Sequence, residues 1–388
     1  MACGALHESV HVALVGAFPF PYPQGSQVFF AGQAHALQAA GACVTLVCYR
    51  RGAGAVPADL AVVRAPFAPR RLASGPNPAK PLADLALAAS LLAAHRRTRF
   101  DAVLAHNAEA ALAALLVRPL MQRPVVYVAH TLLLHELGTY APRQFAPALR
   151  WLGARIDRHV ARRAQAVIAL ARTGERDLSQ LARGPVLRIP PGLATRLAPT
   201  AAAIAASCER HRLEVGRYAL YAGNLDRYQD LATLARAARE ITAPVVVATH
   251  GAGTAPAPLR TVHAADAEEV RALTFGAGVT LLARRAAGGF PIKALNYMEA
   301  SRAIVARESV ADTLTHEHSA WLVADEAGPS AWSAAVNALL ADPARAAQLG
   351  TEARRTLERE HDPVAHARDV LALLASLCAP AAARSRSW

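Results

Sequence analysis

The sequence predicts an α/β protein made of two doubly wound parallel sheets, each forming its own Rossmann-like domain. Three observations point there. Short β-branched runs alternate with alanine-rich stretches of helical pattern, the alternation comes in two separate series, and a Pro- and Gly-rich stretch without periodicity stands between them. Strand–helix–strand alternation lays successive strands side by side and parallel through right-handed crossovers. The length of 388 residues agrees, since it exceeds one ordinary core and suits two domains of about 150 to 200 residues.

Taken in order, VHVALVGA (10–17) is the first strand candidate, followed by CVTLVCY (43–49), FDAVLAH (100–106), PVVYVAH (124–130) and AQAVIAL (164–170). RIPPGLATRLAPT (188–200) reads as the linker. The second series runs through RYALYAGN (217–224), APVVVATHG (243–251), GVTLLAR (278–284), RAIVAR (302–307) and SAWLVAD (319–325). DPVAHARDVLALLASL (362–377) is a helix with a Pro-marked start. The expected division is residues 1–195, completed by a C-terminal helix over 365–388 that crosses back, and residues 196–364.

Composition narrows the function classes. The 53% hydrophobic content is inflated by alanine and aromatics make only 5%, so it signals a globular chain and little more. No apolar run reaches the roughly 18 to 20 residues needed to cross a bilayer. The opening MACGALHESVHVALVGA lacks a basic region and a cleavage signal, which points to the cytoplasm. Cys3, Cys43, Cys48, Cys208 and Cys378 form no C-x-x-C pair, so reduced thiols are expected and no metal or cofactor is implied.

A formal net charge of +13 favours acidic partners such as phosphorylated substrates, nucleic acid or an anionic membrane. Basic residues gather at Arg96, Arg97 and Arg99, in the tail at Arg384 and Arg386, and along ALRWLGARIDRHVARRAQAV (148–167). In that stretch Arg150, Arg155, Arg158, Arg162 and Arg163 accompany the apolar Trp151, Leu152, Ile156 and Val160, as in an amphipathic basic helix. Its charged face either is simply solvated or meets anionic lipid through Arg155, Arg158 and Arg162. No nucleic-acid motif or aromatic stacking platform accompanies the charge, so nucleic acid is not an expected partner.

A nucleotide site in such sheets lies at the carboxyl ends of strands or in the cleft between domains. The first loop, GAFPFPYPQGSQ (16–27), is neither G-x-G-x-x-G nor a Walker loop, and the second strand ends in Tyr49, Arg50 and Arg51 in place of an acidic residue. Both features argue against a dinucleotide dehydrogenase. GGFPIKALNYMEAS (288–301) carries more. Gly288 and Gly289 permit close backbone approach, Pro291 suits a first helical position, and a helix start directs amides and a positive dipole end at an anion. Lys293 and Asn296, three apart, share a helical face, so a cation can meet phosphate while an amide meets sugar hydroxyls. A capped core helix with two exposed polar residues is the plain alternative.

The segment GGFPIKALNYMEASRAIVA (288–306) resembles the donor-binding segment of the GT-B glycosyltransferases, in particular the retaining family 4, or group 1. LYAGNLDRYQDLATLARAAR (220–239) is similar to that family's first C-terminal-domain strand and helix, IPPGL (189–193) to its interdomain strand end, and ALLADPARAAQLGTEARRTLEREHD (338–362) to its closing helices. PFPYPQGSQVFFAGQAHALQAAG (19–41) resembles its acceptor-side loop and helix. The resemblance implies transfer of a sugar from a nucleotide-diphosphate donor to an acceptor hydroxyl, with retention and with no metal or other cofactor. It implies His130, Lys293 and Arg227 as catalytic groups. Donor contacts would come from Gly25, Ser26, His106, Gly223, Asn224, Arg284, Gly288, Gly289, Phe290, Pro291, Ile292 and Asn296. The chain departs from the pattern at the usual glutamate pair, now Gly288 and Asn296, and at the usual Arg and Lys, now Asn224 and Gln229. Lys293 with Arg227, Arg284 or Arg285 would then meet the pyrophosphate, and Glu299, a turn beyond Asn296, is expected at the surface. A non-catalytic relative that binds a nucleotide sugar or a partner is the alternative.

Overall fold

The computed structural model describes residues 9–50, 52, 54–66, 79–140, 142, 144–285 and 288–379. Cys3, Arg51, Arg384 and Arg386 fall outside the described residues, as does the end of the expected C-terminal segment. The first sheet takes its strands from β1 (His11–Gly16), β2 (Cys43–Cys48), β3 (Ala61–Arg64), β4 (Ala102–His106), β5 (Val125–Ala129), β6 (Ala166–Ala169) and β7 (Val186–Arg188). Its order is β3-β2-β1-β4-β5-β6-β7, with every pair parallel. The crossovers carry α1 (Gly25–Ala39), α2 (Lys80–Thr98), α3 (Asn107–Met121), the short α4 (Leu133–Glu136), α5 (Ala146–Arg163) and α6 (Arg172–Ser179).

A helix α7 (Ala201–Arg210) follows the linker and leads into the second sheet. That sheet holds β8 (Ala219–Ala222), β9 (Val245–Thr249), β10 (Arg260–His263), β11 (Val279–Leu282), β12 (Ala303–Arg307) and β13 (Trp321–Val323). Between and after these strands lie α8 (Leu231–Ala237), α9 (Ala267–Gly276), α10 (Lys293–Glu299), α11 (Pro329–Ala341), α12 (Pro343–Glu360) and α13 (Pro363–Cys378). The order is β10-β9-β8-β11-β12-β13, again all parallel.

Alternation along the strands explains the two-sided burial. Val12 and Leu14 of β1 join the core beneath α1 and α13, whereas Ala13 and Val15 join the one beneath α2 and α3. Such strands have no solvent face, so they read as continuous apolar runs. Asp362 caps α13, its carboxylate accepting from the amides of Val364 and Ala365, and Pro363 follows at the first helical position. α13 then packs on α1 of the first sheet. The crossing point is close: a Cβ at Gly192 would lie 2.6 Å from Pro363 Cα, and the Leu193 amide donates to the His361 carbonyl at 3.0 Å.

Both sheets reverse direction beside their first strand, between β1 and β4 and between β8 and β11. Strand order reverses there, so the connecting loops diverge to opposite faces and leave a crevice at the carboxyl ends. The two crevices open onto one interdomain cleft.

Candidate active site

The cleft has a volume of about 660 Å³. Its first-domain wall includes Gly25 and Ser26 at the start of α1, Asn107 after β4 and His130 after β5. The second-domain wall is formed by Gly223 and Asn224 after β8, Arg284 after β11, and Phe290 to Lys293 with Asn296 around the start of α10. The passage is narrow where the walls meet: a Cβ at Gly25 would lie 3.3 Å from Ile292 Cβ.

Lys293 is the centre of the second-domain wall. Its ammonium donates to Tyr221 Oη at 2.6 Å and to Gln229 Oε1 at 3.1 Å, and lies 3.9 Å from the Tyr221 ring centroid. Tyr221 in turn donates to the Asn224 carbonyl at 2.7 Å, and Gln229 Nε2 donates to Asn224 Oδ1 at 2.9 Å. Gly223 makes this possible, because its φ of +146° favours glycine and a Cβ there would lie 2.7 Å from Lys293 Nζ. Burial, reinforced by the Arg284 guanidinium, pulls the lysine pKa well below its ordinary value, with Asp226 opposing. Arg284 itself is buried and lies over the Tyr228 ring at 5.3 Å. The cleft therefore holds two cationic side chains in a poorly solvated wall, a setting that rewards an entering anion.

On the opposite wall His130 is 5% exposed and its ring meets Phe29 edge-on at 5.2 Å. Its Nε2 lies 2.8 Å from Nδ1 of His106. The loop before α10 presses against the same region. A Cβ at Gly289 would lie 1.9 Å from the His130 carbonyl oxygen, and one at Gly288, whose φ is +83°, would lie 2.7 Å from His135 Cδ2. The Gly288 amide donates to Thr173 Oγ1 at 3.2 Å. The glycine pair thus closes the second domain onto the first, and the Gly288 amide is used in that contact.

Several sequence expectations need correction. Arg227 is the exposed first residue of a 3-10 turn (Arg227–Gln229) whose other two residues line the cleft, and it does not line the cleft itself. Arg285 is also diverted, its Nε donating to Asp230 at 2.6 Å. His106 is wholly buried and sits behind His130, since the last residue of β4 turns its side chain into the aromatic layer of Phe29 and Phe30. Pro291 precedes the helix: α10 begins at Lys293, after a turn in which the Ala294 amide donates to the Pro291 carbonyl at 2.8 Å. Glu299 is buried, not on the surface. Its carboxylate accepts from Arg271 at 2.9 and 3.2 Å and from the Arg196 amide at 3.1 Å, a pairing that makes burial of the charge tolerable.

Some lining residues were not anticipated. Arg196, Val270 and Arg271 extend the cleft beside Asn296, which is itself exposed, while Lys80, Asp84, Glu109 and Glu136 line its first-domain end. Lys80 pairs with Glu109 at 3.1 Å, Glu136 accepts from Thr131 and Tyr140, and Asp84 accepts from Tyr49, with burial raising the Asp84 pKa to about 6. These groups come from segments remote in sequence, and no local spacing marks them.

Comparison with known proteins gives a consistent answer. Residues 24–192 match the model of the glycosyl transferase 4-like domain, and residues 216–342 match that of the glycosyl transferases group 1. No curated protein matches by sequence. Among solved structures, sucrose-phosphate synthase from Thermosynechococcus elongatus superposes with a TM-score of 0.77 at 18% identity, covering 95% of this chain and 99% of that one. HepE of Anabaena, in complex with UDP and glucose, gives 0.72 at 15% identity over 95% and 100%. WaaG, a glycosyltransferase involved in lipopolysaccharide biosynthesis, gives 0.67 at 12% identity over 94% and 99%. The first match holds every strand of the first sheet except β1, the second holds all of the second sheet, and with both matched in sequence the chain belongs to the GT-B glycosyltransferases.

Proposed function

We propose that this chain is a retaining, metal-independent glycosyltransferase that moves a sugar from a nucleotide-diphosphate donor to an acceptor hydroxyl. The observation that carries the reading is the half-buried Lys293 ammonium beside Arg284, facing His130 across a cleft built from two switch points. As the bond from the anomeric carbon to the diphosphate oxygen breaks, its electron pair leaves on the diphosphate. The acceptor oxygen bonds the same face of the carbon, and its proton passes to the departing phosphate oxygen. Charge therefore grows on the leaving group, where fixed cations stabilise the transition state more than the bound donor. Lys293 and Arg284 take that role, Asn296 and Asn224 meet donor hydroxyls, and His130 contacts the donor sugar. Residues 196–364 form the donor side, and residues 1–195 with the C-terminal helix form the acceptor side.

The acceptor enters past Glu109 and Glu136 at the first-domain end of the cleft. Near that end α5 exposes Trp151 and Leu152 together with Arg155, Arg158 and Arg162, and Arg155 lies over the Trp151 ring at 5.0 Å. No described helix is long and apolar enough to cross a membrane. An amphipathic face of this composition supports peripheral contact with an anionic cytoplasmic leaflet, and hence a lipid-linked acceptor. HepE was solved with UDP-glucose, so UDP-sugars are the first donors to test. The test is a nucleotide-sugar panel read by thermal stabilisation and by transfer. A donor at about a hundred times its Kd adds about 2.7 kcal/mol. Stabilisation without transfer or donor hydrolysis would replace this reading with that of a non-catalytic nucleotide-sugar binder.

A further inference from the structure

His106, the last residue of β4, and His130, which follows the neighbouring β5, form a closed pair. His106 Nδ1 and His130 Nε2 are 2.8 Å apart, one ring at 68° to the other, and both rings pack on Phe29. His106 Nε2 is buried without a hydrogen-bond partner among the described residues, with Phe30 edge-on to the ring at 4.8 Å. His130 borders the cleft, and its Nδ1 makes no hydrogen bond to the described residues.

A neutral pair can share its bridging proton in two ways. If His130 donates from Nε2, His106 must carry its own proton on Nε2, which buries an N–H with no acceptor. If His106 donates from Nδ1, its Nε2 is a bare lone pair, and His130 keeps its proton on Nδ1, toward the cleft. An orphaned buried donor is the rarer and costlier of the two. We propose that His106 is a positioning residue that fixes His130 as the Nδ1–H tautomer, so that His130 presents a hydrogen-bond donor to an oxygen of the donor sugar. Burial favours the neutral form of both rings, pushing His130 down to about 3 and, with His130 and His366 nearby, His106 well below its usual value. The role toward the sugar rests on the glycosyltransferase reading above; the tautomer does not.

The test is a long-range proton–nitrogen correlation spectrum of the full chain labelled with ¹⁵N-histidine, recorded without donor. It should show His130 protonated at Nδ1 and bare at Nε2. A proton on His130 Nε2 overturns the proposal whatever the enzyme does. His106→Phe should leave His130 as a tautomer mixture and lower turnover roughly tenfold to a hundredfold, by analogy with the loss of a group that orients a metal-ligating histidine, with donor KM little changed. His106→Asn, whose amide restores a donor near the Nδ1 position, should recover both the single tautomer and most of the turnover. It also decides the matter if the phenylalanine variant does not fold. Parental turnover in His106→Phe, with the tautomer released, would overturn the positioning role. A parent that transfers from no nucleotide sugar would refute the enzymatic reading while leaving the spectrum to judge the pair.

Discussion

Lys293→Met keeps most of the side chain and removes its charge together with its hydrogen bonds to Tyr221 and Gln229, so it tests the centre of the site most directly. In the parent the ammonium lies between Tyr221 and Gln229, and burial with Arg284 nearby depresses its pKa. The folded state therefore binds fewer protons than the unfolded one between that depressed pKa and the ordinary lysine value of about 10.4, so stability rises with pH across this window. The methionine variant lacks that slope and should be at least as stable as the parent near neutrality. Transfer responds in the opposite sense. The ammonium makes a charge-assisted contact with an anionic leaving group in a water-poor wall, and losing such a contact costs on the order of 2 to 4 kcal/mol in the transition state. At about 1.36 kcal/mol per decade, the rate should fall by roughly one and a half to three decades. Single-turnover transfer at saturating donor measures this, with Tm followed across pH in parallel. Asn296→Ala is the contrast: its amide is exposed at the cleft edge, so donor Kd should rise while the saturated rate holds. Parental single-turnover rates in Lys293→Met would place the pyrophosphate elsewhere and refute the assignment.

Three more outcomes follow from the geometry. His130→Ala should lower kcat more than donor affinity, since its contact strengthens in the transition state; steady-state kinetics with near-normal turnover would return it to a structural role. In Gly289→Ala the new Cβ would lie 1.9 Å from the His130 carbonyl, so the loop must back away and the domains part. Solution scattering at saturating donor should show a more open particle with reduced transfer, and a profile identical to the parent's would count against closure at this loop. Replacing Arg155, Arg158 and Arg162 by serine should release the protein from acidic vesicles, and the parent should be released by added salt. Equal sedimentation of parent and variant would leave these arginines as a solvated face.

The central strands were legible in the sequence because burial on both faces demands uninterrupted apolar runs, as in Leu14 to Val15 or Val125 to Ala129. The Pro-led α13 was legible for an equally local reason, the backbone restriction that proline imposes. β3, β7 and β10 were not. They are edge strands of three or four residues, only partly buried, and without a continuous apolar run they do not stand out from loops. Of the residues picked from their motifs, Lys293, His130 and Gly223 line the cleft, while Gly288 and Gly289 lie at the contact between the domains. What those residues touch was not legible in the motifs. Tyr221 and Gln229 meet Lys293 from 72 and 64 residues away, His106 meets His130 because β4 and β5 pair in parallel, and Glu299 meets Arg271 across two helices. Sequence pattern records each segment's own preference for helix, strand or turn. Which polar atom a buried charge finds depends on strand order and domain closure, and those exist only once the two sheets face each other.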